Sequence, residues 1–143
     1  LHDSVNEQTK LEHQLLDVIN NEQLRVFFQA LIDPSDQSLG GVEAVVRWQH
    51  PDKGLLEPED FINIVDYLGV LASIDEWRIN EACRQFKDWN QRFGHDLKRV
   101  SVDLSAPQLR NKKLFDSVER IITNTGLEPH YLELILLMQV KMN

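Results

Sequence analysis

The chain has 143 residues and a formal net charge of −8, with 42% hydrophobic and 27% charged residues, a composition that suits one soluble globular domain with its own core. The acidic balance and the lack of a basic block argue against binding DNA or RNA through the backbone, and no run of about 18 apolar residues is present to span a membrane. The start, Leu1-His2-Asp3-Ser4, has no secretory pattern, and the single cysteine, Cys83, excludes an internal disulfide and fits a reducing cytoplasm.

Leu11, Leu15, Val18 and Ile19 recur at helical spacing, which predicts an amphipathic helix from about Glu7 to Asn21. Leu24 to Ile32, rich in β-branched and aromatic residues, reads as a strand. Asp33-Pro34-Ser35-Asp36 and then Gly40-Gly41 read as a turn, and Val42 to Trp48 as a second strand. Pro51 to Gly54 is a loop. Pro58, followed by Glu59 and Asp60, opens a helix expected to end near Gly69, because proline and acids suit a first helical turn. A longer helix follows from Ile74 to Phe93, with Ile79, Cys83, Phe86 and Trp89 or Asn90 on one side and Gly94 as its stop. Val100 to Leu104 is a third strand. Pro107 opens a helical stretch that runs, with an interruption, to about Asn124, and Tyr131 to Met138 is a fourth, almost wholly apolar strand. Strands that alternate with helices of crossover length predict an α/β fold with parallel strands.

Two strands carry polar residues where an apolar face is expected. Side chains alternate along a strand, so Glu43, Val45 and Arg47 share one face and Ala44, Val46 and Trp48 the other. An acid and a guanidinium on such a strand are costly to bury unless paired with each other or bound to something else. Ser101, Asp103 and Ser105 repeat the arrangement. Asp103 either caps the helix at Pro107 or, with Glu43, offers hard oxygen ligands to a divalent cation. Gln29 lies on the face of the first strand shared with Arg25 and Phe27. His50 reads as a loop hydrogen-bonder, since no second His or Cys stands at ligand spacing.

Taken in order, these pieces resemble the first half of an EAL domain, from about Leu11 to Leu134. The resemblance rests on Phe28-Gln29-Ala30, on Glu43-Ala44-Val45 followed by Arg47-Trp48 and His50-Pro51, and on Gly54, Pro58, Phe61-Ile62, Gly69, Ile74-Asp75 and Trp77. It continues through Ala82-Cys83, Val100 to Ala106, Gln108-Leu109, Gly126-Leu127 and Leu132-Glu133-Leu134. The resemblance implies about half of a modified TIM-like (β/α) barrel, a cytoplasmic bacterial signalling role, and metal-dependent hydrolysis of cyclic di-GMP with magnesium or manganese. It implies Glu43 as a metal ligand, Arg47 as a contact to substrate phosphate, and Gln29 and Val45 as lining of the substrate pocket. Asp103 stands where the family has a metal-binding Asn.

The chain departs from the family at Ile135, which occupies the position of a second metal-binding glutamate and has no lone pair to give. The family's later acids and catalytic lysine belong to strands beyond this one, and a full barrel takes roughly 250 residues. Residues 1–10 are read as a linker or the end of a preceding segment and 11–143 as a truncated, degenerate EAL-like domain. Useful hydrolysis by this chain is not expected. The other reading is a non-catalytic module that binds cyclic di-GMP or a protein partner. An apolar last strand with an open edge leads to the expectation of self-association.

Overall fold

The computed structural model describes residues 2–61, 71–93, 97–104 and 106–136. In chain order its elements are α1 (His2–Leu16), β1 (Leu24–Ile32), β2 (Leu39–His50), β3 (Gly54–Leu56), α2 (Leu71–Phe93), β4 (Arg99–Leu104), α3 (Ala106–Leu109), α4 (Leu114–Thr125) and β5 (Leu132–Leu136). They build one mixed sheet in the order β1-β2-β4-β5, with β3 as a short partner of β2. β1 lies antiparallel to β2, whereas β2, β4 and β5 are parallel. The expected α/β class is thus observed, with a hairpin at its start.

The long α2 covers one face of the sheet because its apolar positions fall on one stripe. Ile79, Ala82, Cys83 and Phe86 are fully buried and pack with Val42, Ala44, Val100, Val102 and Leu104 from the strands. Leu114, Val118, Ile121 and Leu127 bring α4 and its exit onto the same cluster. Strands buried on this face read as Val-rich, as parallel sheets do. Burial pushes the Cys83 thiol up to about 11, which fits the expected inert, buried cysteine. Helix α4 ends where Gly126 adopts φ 73°, and its amide donates to the Ile122 carbonyl. A left-handed glycine at that position lets the chain leave the helix without a Cβ clash.

A second cluster docks α1. Leu15 and Val18 pack with Leu24, Val46, Trp48, Phe61 and Ile74. Trp48 donates its indole N–H to the Gln23 side chain at 3.1 Å and stacks edge-on with His50 and Phe61. His50 is buried, as a hydrogen-bonder rather than an open ligand: its Nδ1 accepts from the amides of Asp52 and Lys53, and Nε2 meets the Gln14 amide oxygen at 2.6 Å.

Three boundaries differ from expectation. Helix α1 spans His2–Leu16 rather than Glu7 to Asn21, and residues 17–22 form turns in which Glu22 takes φ 55°. Gly40 and Gly41 belong to β2 and not to the turn before it. At Gly41 a Cβ would lie 2.6 Å from both the carbonyl oxygen and the Cγ of Arg99, so the glycine is there for close strand approach. The loop expected at Pro51 to Gly54 is a tight turn into the three-residue β3. The helix at Pro58 begins as expected over residues 58–61. Its continuation to Gly69, the stop at Gly94, Ser105 and the end of the last strand at Met138 lie outside the described residues.

Candidate functional site

Strand alternation turns one set of side chains toward the helices and leaves the other on an open face. Across that open face Gln29 stands opposite Glu43, Glu43 opposite Ser101, and Ser101 opposite Glu133. The next row toward the C-terminal ends of the parallel strands holds Phe27 beside Val45, and Asp103 beside Ile135. Sites in parallel α/β folds form at that end because the loops leaving the strands converge there.

Glu43 and Asp103 come together. The Glu43 carboxyl is held above its ordinary value, first by burial and then by the neighbouring Asp103 carboxyl. With burial and a neighbouring acid both acting against its charge, Glu43 is suited to a shared proton or to a cation between the two acids. This is hard, oxygen-only chemistry, which fits magnesium or manganese and not zinc. Among the described residues no three His, Cys, Asp or Glu side chains gather closely enough to hold a metal. The described residues thus bring two carboxyl groups together and not a cage. Ile135, directly across from Asp103 in the β4–β5 pairing, adds no donor.

The Glu43–Arg47 ion pair considered from the sequence does not form. Arg47 lies four residues along β2 on the same face, donates to the Val46 carbonyl at 3.0 Å, and faces Glu57 at 4.0 Å. Glu57 is well exposed, so the contact is weak, and the guanidinium is held at the rim by a partner that an anion can displace. Val45 is half-buried between Glu43 and Arg47, and Gln29 is exposed at the edge strand. The five expected positions therefore share one face, with Glu43 and Asp103 in contact and Arg47, Val45 and Gln29 around them.

The lower end of the open face is closed. Ser101, fully buried, donates to Glu133 at 3.0 Å, and Arg99 approaches the other oxygen of Glu133 at 3.7 Å over Gly41. Sequence reading places Ser101 on the polar face without this partner, because the pairing of β4 with β5 is not a local signal. It passes over Arg78 and gives Asp75 and Gln108 no role beyond the family resemblance, whereas the three form a buried network behind Asp103. The visible signal is two charged residues, Asp75 and Arg78, on the apolar stripe of α2. A cavity of about 490 Å³ beside Asp75 and Gln108 is lined from α2, α3 and α4, and none of Glu43, Arg47 or Asp103 borders it. No described helix is long and apolar enough to cross a membrane.

Comparison with known proteins gives a consistent result. A family model for the EAL domain matches residues 12–140. The chain is 36% identical over 126 residues to the bifunctional diguanylate cyclase/cyclic di-GMP phosphodiesterase MucR of Pseudomonas aeruginosa, covering 88% of this chain and 18% of the relative. It is 31% identical over 128 residues to the cyclic di-GMP phosphodiesterase NbdA of the same organism, covering 90% of this chain and 16% of the relative. A solved structure of the PaMucR phosphodiesterase in complex with c-di-GMP superposes with a TM-score of 0.82 at 34% identity, covering 87% of this chain and 50% of that one. The chain thus spans less than a fifth of the curated relatives named here and half of the solved phosphodiesterase chain.

Proposed function

The chain belongs to the EAL domain family, and from that premise we propose that its open sheet face binds the phosphates of cyclic di-GMP together with a divalent cation, in a cytoplasmic signalling module that binds without hydrolysing. The observation that carries this reading is the contact between the Glu43 and Asp103 carboxylates where the β2–β4 pairing runs out. In this reading the domain proper takes in residues 11–143, and residues 1–10 are a linker or the end of a preceding segment. Glu43 and Asp103 would hold magnesium or manganese through their carboxylate oxygens. Arg47 leaves Glu57 to take the phosphate, a stronger and bidentate partner. Val45 and Gln29 border the ligand. The cation, when bound, neutralises phosphodiester charge and lowers the pKa of bound water. Ile135 withholds the donor that a hydrolytic site needs beside Asp103, so binding is retained and turnover is not.

The deciding experiment is isothermal titration with cyclic di-GMP, with and without magnesium, alongside chromatography of the nucleotide. Saturable binding that needs magnesium, weakens in Glu43→Ala and in Arg47→Ala, and yields no linear dinucleotide is the expected result. Linear product that disappears in Glu43→Ala would overturn the non-hydrolytic part. Absence of any binding would overturn the whole reading. A second reading, self-association through the same face, is favoured by Phe27, an aromatic ring 46% exposed beside Val45. A constant monomer mass by light scattering down to low micromolar concentration would exclude it.

A further inference from the structure

If Glu43 and Asp103 share a cation, something must hold two like charges side by side before it arrives. The pairing of β4 with β2 runs from Arg99 to Val102, so Asp103 is the first residue past it. At that point the main chain is gripped from behind. Arg78 of α2, only 7% exposed, donates from Nη2 to the carbonyl oxygen of Asp103 at 2.8 Å and to Oδ1 of Asp75 at 3.1 Å. Gln108 of α3 donates from Nε2 to the same Asp75 oxygen at 2.6 Å. Asp75 and Gln108 are themselves buried. One helix, the end of one strand and the turn of helix that follows it are thus tied together immediately behind the carboxylate.

The choice of atoms matters. Arg78 bonds the carbonyl of Asp103 and not its carboxylate, so the side-chain oxygens stay free for Glu43 and a cation. Asp75 offsets the guanidinium, so no uncompensated positive charge stands behind a cation site. An arginine aimed at the carboxylate itself would fix Asp103 equally well, but it would compete with the cation for the same lone pairs.

We propose that Arg78 is a positioning residue: charge-balanced by Asp75 and steadied by Gln108, it fixes the main chain at Asp103 and so aims that carboxylate at Glu43 and their shared cation. This rests on the cation reading of Glu43 and Asp103 given above. The competing account is a staple between α2 and β4 that serves stability alone. The two accounts differ in what survives when the staple is replaced by an equally stable apolar one.

Arg78→Met alone strands a buried Asp75, so the working variant is the double substitution Asp75→Leu/Arg78→Met, which removes both charges and is often neutral in such pairs. Arg78→Lys is the conservative partner. Two quantities are read: amide hydrogen exchange at Asp103 and Leu104 without divalent cations, and manganese affinity by electron paramagnetic resonance. In the folded double variant, exchange at these two amides is expected to quicken about tenfold or more and manganese binding to weaken about tenfold or more. Arg78→Lys is expected to restore most of both. A folded double variant with wild-type exchange, or with wild-type manganese affinity, overturns the proposal. If the double variant does not fold, Arg78→Lys and Arg78→Gln decide in its place: wild-type exchange and manganese affinity in both overturn the proposal, and losses graded from Lys to Gln support it. If the wild-type chain binds no manganese, the cation reading fails by itself, and the exchange comparison still decides whether Arg78 fixes the main chain.

Discussion

The two faces of the sheet are built from the same strands and could hardly differ more. On the helix side Val42, Ala44, Val100, Val102 and Leu104 meet Ile79, Cys83 and Phe86 in a closed apolar cluster. One residue over in each strand, the open side carries Glu43, Val45, Arg47 and Asp103, half-buried, with two acids in contact. The first face explains why the chain folds; the second is what folding leaves strained. A stable surface would not place two carboxylates against each other, so the open face is organised around something other than stability.

The sharpest way to break this comparison is on the helix side. Phe86→Ala is expected to cost about 3–5 kcal/mol in denaturant unfolding, as for a fully buried aromatic side chain. A loss below about 1 kcal/mol would mean that α2 is not seated on the sheet as described. Next comes the closed lower end of the open face. Gly41→Ala forces a methyl group against the Arg99 carbonyl and is expected to cost about 1–3 kcal/mol; a neutral result would show that β2 and β4 do not approach so closely.

The acid pair should move the other way. Glu43→Gln is expected to stabilise the cation-free protein at pH 7.5 by on the order of 1 kcal/mol, because residues kept for binding often cost stability. The sign follows from the raised Glu43 carboxyl. A carboxyl with a folded-state value above its unfolded one contributes stability that is complete below the unfolded value of 4.5 and is lost as pH rises through the folded value. The advantage of Glu43→Gln should therefore grow from pH 4 to pH 7.5, and an advantage that shrinks over this range contradicts the pairing. Magnesium at ten times its dissociation constant should return about 1.4 kcal/mol to the wild type and nothing to Glu43→Gln, read as a shift in Tm. The smallest effect belongs to Phe27→Ala, expected within about 0.5 kcal/mol for a half-exposed ring on the open face. A larger loss in the isolated chain would show that this ring is covered in solution, and the loss should then depend on concentration.

How much of this was legible beforehand depends on the range of the interaction. Period-two alternation over Val42–Trp48 and Val100–Leu104 placed Glu43 and Asp103 on polar strand faces, and the helical stripe of α2 placed Cys83 and Phe86 in the core. Those are local signals, and they agree with the structure. The family resemblance, found in the order of many short motifs, agrees with the match over residues 12–140. Alternation says nothing of a strand's partner or direction, so the antiparallel β1 and the Ser101–Glu133 bond were not readable. Nor was Arg78, whose partner carbonyl lies 25 residues away in the chain. The pairing of Arg47 with Glu57 rather than Glu43 was missed for a similar reason: two charges on one strand face four residues apart sit about 13 Å from each other along an extended chain, too far to bond, while the β3 hairpin folds a third charge back.

The antiparallel course of β1 decides where α1 sits on the sheet. Because β1 runs against β2, its first residue, Leu24, lies beside Trp48, at the end of β2 from which Arg47 projects. Helix α1 therefore plants its foot at the rim of the open face and not at the far end of the sheet. Gln14 on that helix holds His50, and Gln23 just after it bonds both the Trp48 indole and the Gln49 amide. All three contacts fall on Trp48, Gln49 and His50, the residues that directly follow Arg47 in β2. The helix is thus joined to the Arg47 end of the sheet through a single hairpin.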